Sequence, residues 1–209
     1  MESAREKILE VATKLFAERG FAGVSIRELT VAANVNVSAI SYYFSGKEGL
    51  YKEVIKGQMS WTMKILETVK GKVDLRPVER VKLYMEMQPE VIKKTPLLGK
   101  FMNSEMSNPT NIAGPIIIEH ISKINNFLFD LIKEGIDKGD FKKNLDPAYC
   151  AITLAGILNF YFHARKFAEK LETCEHYNEW KGVEHLKANL DGERYIEHAI
   201  DIYLHGIAK

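Results

Sequence analysis

Apolar residues recur in this chain at helical spacing from one end to the other, and runs that alternate apolar with polar residues are few. That periodicity predicts an all-α protein, because a sequence patterned for a helical stripe does not present one clean face as a strand. Ile8, Leu9, Ala12, Leu15 and Phe16 form the first stripe, and Glu18-Arg-Gly20 closes it with a glycine suited to a helix end. After the loop Phe21-Ala-Gly-Val24, two serines each stand three residues ahead of a glutamate. Ser25-Ile-Arg-Glu28 is expected to cap a short helix carrying Ile26 and Leu29. Ser45-Gly-Lys-Glu48 is expected to cap a long one, about 47–70, carrying Tyr51, Val54, Ile55, Gln58, Trp61, Ile65 and Leu66. Between them Val35, Ile40 and Phe44 predict a third short helix with Asn36 as its cap, entered through a turn where Asn34 tolerates a positive φ.

A long helix, a short helix, a tight turn and another short helix make a three-helix helix-turn-helix module. Forty-odd residues bury too little to stand alone, and the helix from Lys47 is placed to pack beneath them. We therefore expect residues 1–46 to form an amino-terminal helix-turn-helix domain and 47–70 a connecting helix. Residues 71–209 are expected to form a larger carboxy-terminal helical domain, beginning at the composition shift Gly71-Lys-Val-Asp-Leu-Arg-Pro77. Helical patterns there cover about 78–94, 97–107, 112–138, 147–172 and 192–207, punctuated by Pro89, Pro96, Pro109, Pro115 and Pro147. The stretch 173–191 is polar, with His176, Tyr177 and His185, and no element is assigned to it.

Enzyme signatures are missing. No two glycines stand two apart, which removes the dinucleotide fingerprint and the kinase glycine loop. There is no Walker A loop, Gly-x-Ser-x-Gly elbow or Cys-x-x-Cys. None of the six histidines has a Glu three residues before it or another His four away, so no metal-binding helix is expected, and no cofactor. Cys150 and Cys174 are too few for a disulfide framework. The acid-and-base amino terminus does not read as a signal peptide, and the apolar window Ala148 to Phe162 is too short and polar to span a bilayer. A cytoplasmic protein without a membrane partner is expected.

Function is carried by the third helix. With Val35, Ile40 and Phe44 on its core side, the opposite side offers Asn36, Val37, Ser38, Ala39, Ser41, Tyr42 and Tyr43. Small residues let a helix approach base edges in a major groove, where the methyls of Val37 and Ala39 can meet thymine methyls. Serine and tyrosine hydroxyls can bond phosphate oxygens. Lys47 lies in the first turn of the next helix, where free backbone N–H groups already favour an anion. Ser25 and Arg27, at the start of the second helix, are further candidates for backbone contact. The partner read from these residues is double-stranded DNA. No strong basic field assists, because residues 1–60 hold 8 Lys and Arg against 7 Asp and Glu and the whole chain carries +1.

Residues 5–51 resemble the DNA-binding domain of the tetracycline-repressor (TetR) family of bacterial regulators. The resemblance rests on Phe16-Ala-Glu-Arg-Gly-Phe21, on Ser25 where the family has a capping Thr or Ser, and on Ser41-Tyr-Tyr-Phe44 followed by Lys47-Glu48 and Leu50. The run from Asn36 to Tyr51 is further similar to the CecR-like branch. Three positions depart from the family pattern. Asn34 replaces the turn glycine, Ser38 replaces a recognition-helix glycine, and Ser41 stands where the family has a phosphate-contacting Tyr, which passes that contact to Tyr42 or Tyr43.

The resemblance implies a homodimer formed through the last two long helices. On the first of these Ile152, Ala155, Gly156, Asn159 and Phe160 are candidates for the seam, and on the second Tyr195, Ala199, Ile202, Tyr203 and Gly206. It also implies a partly apolar small-molecule effector, with Trp61, Phe101, Met102, Phe127 and Tyr161 as candidate pocket residues. Effector binding would shift helix 47–70 and release a palindromic operator from a ligand-responsive repressor. Two rival readings remain beside this one. An effector-free DNA-binding or interaction scaffold would keep its DNA affinity against every small molecule. A helical-bundle enzyme would show turnover.

Overall fold

The computed structural model describes residues 3–171 and 193–208, the side chains of 161–171 and 193 excepted. Ten helices and no strand stand among the described residues: α1 Ala4–Arg19, α2 Ile26–Ala33, α3 Val37–Phe44, α4 Lys47–Lys70, α5 Pro77–Glu86, α6 Gln88–Lys94, α7 Leu98–Ser107, α8 Gly114–Lys138, α9 Pro147–Leu171 and α10 Glu193–Ile207. The all-α class and the helix-turn-helix order expected from the sequence are what the structure has. The unassigned stretch 173–191, with Cys174, lies outside the described residues.

The chain divides into two compact units, residues 1–61 with 95–122 and residues 62–94 with 123–209. In the first, α1, α2 and α3 meet over Ile8, Ala12, Phe16, Leu29, Ala33, Ile40 and Phe44. Leu50, Tyr51, Val54, Ile55 and Met59 of α4 close that core from one side, with Phe101 of α7 and Ile117 of α8 also buried in it. The periodicity of each helix accounts for this, since the residues buried are those at helical spacing. In the second unit the Tyr84 ring of α5 lies tilted against that of Phe127 of α8, their centroids 6.3 Å apart. Arg80, nearly buried, donates to Glu134 at 3.0 Å. Phe141 is fully buried against Gly135, where an added Cβ would overlap its ring, so glycine is required there by close approach. Tyr203 of α10 donates to the Cys150 carbonyl at 2.8 Å and Tyr195 to that of Ile157, also at 2.8 Å, which ties α10 to α9.

Two expectations need correction. Residues 78–94 are not one helix: α5 ends at Glu86, and Met87 leads into α6. The ring of Pro89 has no N–H for the carbonyl of Met85 and would crowd it, so a continuous helix breaks there. The Ser45–Glu48 capping box does not form as expected. Ser45 instead ends α3 in a left-handed conformation, φ 59°, with its N–H on the Ser41 carbonyl at 3.0 Å. Gly46, at φ 102°, then makes the sharp turn into α4. The serine is used as a stop because two helices are joined by only two residues.

Candidate nucleic-acid interface

The sequence signals that delimit α1 to α3 act as physical chemistry requires. Ser25 accepts from the Glu28 N–H at 3.2 Å while the Glu28 carboxylate accepts from the Ser25 N–H at 2.8 Å, a complete capping box. Ser3 and Glu6 form a second box at the start of α1, from the same spacing in Ser3-Ala-Arg-Glu6, which the helical stripe beginning at Ile8 leaves unmarked. Asn34 takes φ 52° and ψ 54° and supplies the helix-turn-helix bend. Asn36 is the residue before α3, in an extended conformation, but its side chain makes no capping bond. Its amide therefore stays available to solvent.

This geometry divides α3 sharply. Ile40 is 0% exposed and Phe44 5%, while Tyr42 is 82% and Tyr43 40% exposed. Asn36, Val37, Ser38 and Ser41 are exposed beside them and Ala39 is half-buried. The Tyr42 and Tyr43 rings meet edge to face with centroids 4.9 Å apart, so each steadies the other at the end of the exposed face. A helix ending in two hydroxyl-tipped rings, with small residues before them, has the shape for a groove and the chemistry for its phosphate walls.

Ser25, Arg27 and Lys47 flank that face from α2 and α4. Ser25 and Arg27 are exposed. The Ser25 hydroxyl donates to Glu28 at 2.7 Å, so a phosphate would compete with the carboxylate for it. Glu28 also receives Arg19 at 2.8 Å, and the Ser25 backbone N–H, the Ser25 hydroxyl and Arg19 together hold its carboxyl at about 2, below the ordinary 4.5. Lys47 holds its ammonium 4.1 Å above the Phe21 ring. Partial burial draws its pKa below the ordinary lysine value and the Glu28 carboxylate opposes that shift. Sequence spacing alone does not reveal Phe21 as the seat of Lys47, which depends on how the loop after α1 folds back.

A depressed folded pKa makes a carboxylate stabilising above its unfolded pKa and loses that contribution as pH falls through the folded value. Glu28 should therefore contribute a pH-dependent part of stability between about 4.5 and 2. Urea melts at steps down that window should show a smaller decline for Glu28→Gln than for the native chain. Equal declines would mean that the capping box is not formed in solution.

The residues proposed for an effector pocket are distributed rather than gathered. Phe101 is buried in the first unit, its ring centroid 6.3 Å from that of Tyr51, and Met102 packs against the same core. Trp61 is half-buried on α4, and Phe127 is buried against Tyr84 in the second unit. The Tyr161 side chain lies outside the described residues. Of the residues proposed for a dimer seam, Ala199 and Tyr203 are buried within their own chain, and Ala155 and Tyr195 are half-buried. Ile152, Phe160 and Ile202 are exposed apolar side chains, with Gly156, Asn159 and Gly206 exposed beside them. No helix among the described residues is long and apolar enough to cross a membrane.

Residues 8–54 match the family model described as bacterial regulatory proteins, tetR family. The chain is similar to the probable HTH-type transcriptional regulator YttP of Bacillus subtilis (strain 168), 30% identical over 137 residues, which is 65% of this chain and 66% of that protein. Among solved structures it is similar to the ketosteroid transcriptional regulator KstR2 of Mycobacterium tuberculosis. That match has a TM-score of 0.72 at 17% identity and covers 100% of this chain and 97% of that one. It is also similar to AibR in complex with isovaleryl coenzyme A and operator DNA, with a TM-score of 0.62 at 19% identity over 91% of this chain and 97% of that one. At these identities the two structures speak for the fold.

Proposed function

The chain belongs to the TetR family of bacterial transcriptional regulators, and from that premise we propose that it binds an inverted-repeat operator in double-stranded DNA as a homodimer and represses until a small, partly apolar effector releases it. Membership makes it a regulator rather than an enzyme. The observation that carries the reading is the division of α3, with Ile40 and Phe44 buried and Tyr42, Tyr43, Val37 and Ser38 turned outward. A helix that only filled a core would not leave two neighbouring tyrosines to solvent.

In this reading Val37, Ser38 and Ala39 approach base edges and Asn36 lies at the groove entrance. Ser41, Tyr42, Tyr43, Ser25, Arg27 and Lys47 hold the phosphates on either side. Two copies of α3 would read major grooves roughly 34 Å apart, one turn of DNA. The exposed apolar residues Ile152, Phe160 and Ile202 on α9 and α10 supply the face for the second copy. The effector is proposed by analogy of fold, since AibR's structure holds isovaleryl coenzyme A together with operator DNA. The run Asn36 to Tyr51 supports placing the chain in the CecR-like branch.

Selection of bound fragments from a random DNA pool at fixed salt tests the reading. An enriched inverted repeat is the expected result, and a folded protein that enriches nothing, alone or with added ligands, would overturn it. With the selected site in hand, Lys47→Ala should flatten the dependence of log affinity on log salt by about one unit per protomer. An unchanged slope would remove Lys47 from the phosphate contacts.

A further inference from the structure

The first unit holds a buried carboxylate that neither the recognition helix nor its capping residues use. Glu105, in the last turns of α7, is 4% exposed. Its oxygens accept from the Tyr51 hydroxyl at 2.7 Å and from the Thr110 N–H at 2.8 Å. The Thr110 hydroxyl also lies at 3.0 and 3.1 Å from the two oxygens. Thr110 in turn receives the Ala113 N–H at 3.0 Å and so caps the entry to α8. One carboxylate thus fastens the end of α7 and the start of α8 to the second turn of α4.

Tyr51 carries that attachment onward. Its ring centroid lies 4.9 Å from that of Phe16 and 5.2 Å from that of Phe21, and the Phe21 ring is the seat of the Lys47 ammonium, 4.1 Å above it. Beside the bridge, a cleft of about 390 Å³ separates residues 17–22, the end of α1 and the loop after it, from Ser104, Asn108 and Thr110. The Glu105–Tyr51 bond and the edge-on and tilted rings are therefore one polar line of contact from the α7–α8 corner to the loop beneath Lys47.

We propose that Glu105 is a positioning residue for DNA binding: through Tyr51 and Phe21 it sets the place of the Lys47 ammonium, so that the α7–α8 corner controls a phosphate contact made from α4. The proposal rests on the reading of the chain as an operator-binding regulator. A bond that served only to satisfy a buried carboxylate would affect stability and leave the salt dependence of DNA binding alone. A positioning bond affects both, and its effect disappears when Lys47 is absent.

The test compares the full-length chain with Tyr51→Phe, Glu105→Gln, their double variant, and each in a Lys47→Ala background, on the operator selected as above. Tyr51→Phe keeps the ring and removes only the hydroxyl, so it stays informative if Glu105→Gln fails to fold. Expected is an affinity loss of about tenfold for either single variant, no further loss in the double, and a flatter salt slope like that of Lys47→Ala. In the Lys47→Ala background the same changes should cost no affinity. Melting temperatures that fall while affinity and salt slope stay native would overturn the proposal, as would a loss that persists without Lys47. If the native chain selects no operator, the regulator reading itself fails. If it does and the variants bind as it does, only the role of Glu105 fails.

Discussion

Tyr42→Ala combined with Tyr43→Ala is expected to abolish specific operator binding while the helices and the dimer remain. Both hydroxyls stand in solvent at the end of α3, Tyr42 at 82% exposure, and neither ring fills the core that Ile40 and Phe44 occupy. A hydrogen bond to a phosphate contributes about 1 kcal/mol or somewhat more. A dimer would lose four such hydroxyls, so specific binding should fall by about a thousandfold, to the level of non-specific association. Substitution at exposed positions costs the fold roughly 0.5 kcal/mol or less apiece. Anisotropy titration against operator DNA, with a thermal melt of the same sample, separates the two effects. Unchanged affinity would mean that another face of the module meets DNA.

The second large effect concerns stability. Phe16→Ala should cost about 3–5 kcal/mol, a large part of the 5–15 kcal/mol by which such domains are stable. Phe16 is 2% exposed and touches Tyr51 edge-on, with Phe21 stacked 6.2 Å away. Its removal opens a cavity where α1, the loop into α2 and α4 converge, and neighbouring rings can fill it only in part. Phe16→Leu keeps most of the buried apolar volume while losing the ring contact to Tyr51, so it should cost less than the alanine variant. Urea unfolding followed by circular dichroism would report both. A loss under 1 kcal/mol for the alanine variant would show that α1 is held elsewhere.

The legible part of this protein is the part written locally. Ser25 and Glu28 are three residues apart, Asn34 and Gly20 mark bends by their tolerance of positive φ, and Ile40 and Phe44 share a face because four residues is about one helical turn. Such features depend on neighbours in the chain, so order, capping and the exposed face of α3 can be read without a structure. Ser45 shows the limit, since the same pattern that caps α2 ends α3 when the connection to the next helix is only two residues long.

Contacts between distant residues left no local trace. Glu105 and Tyr51 are 54 positions apart, and nothing in either segment marks one as the other's partner. Ala199 and Tyr203 have the apolar spacing of an interface stripe, yet both are buried within their own chain, Tyr203 with its hydroxyl on the Cys150 carbonyl of α9, while Ile202 beside them stays exposed. Periodicity tells which residues of a helix share a face but not what that face meets. The sequence by itself therefore determined an all-helical chain with an amino-terminal helix-turn-helix and an outward-facing Tyr42 and Tyr43. Only the tertiary structure decided that Phe21 seats Lys47 and that Glu105 reaches Tyr51, because burial of a carboxylate and stacking of rings depend on which helices pack together.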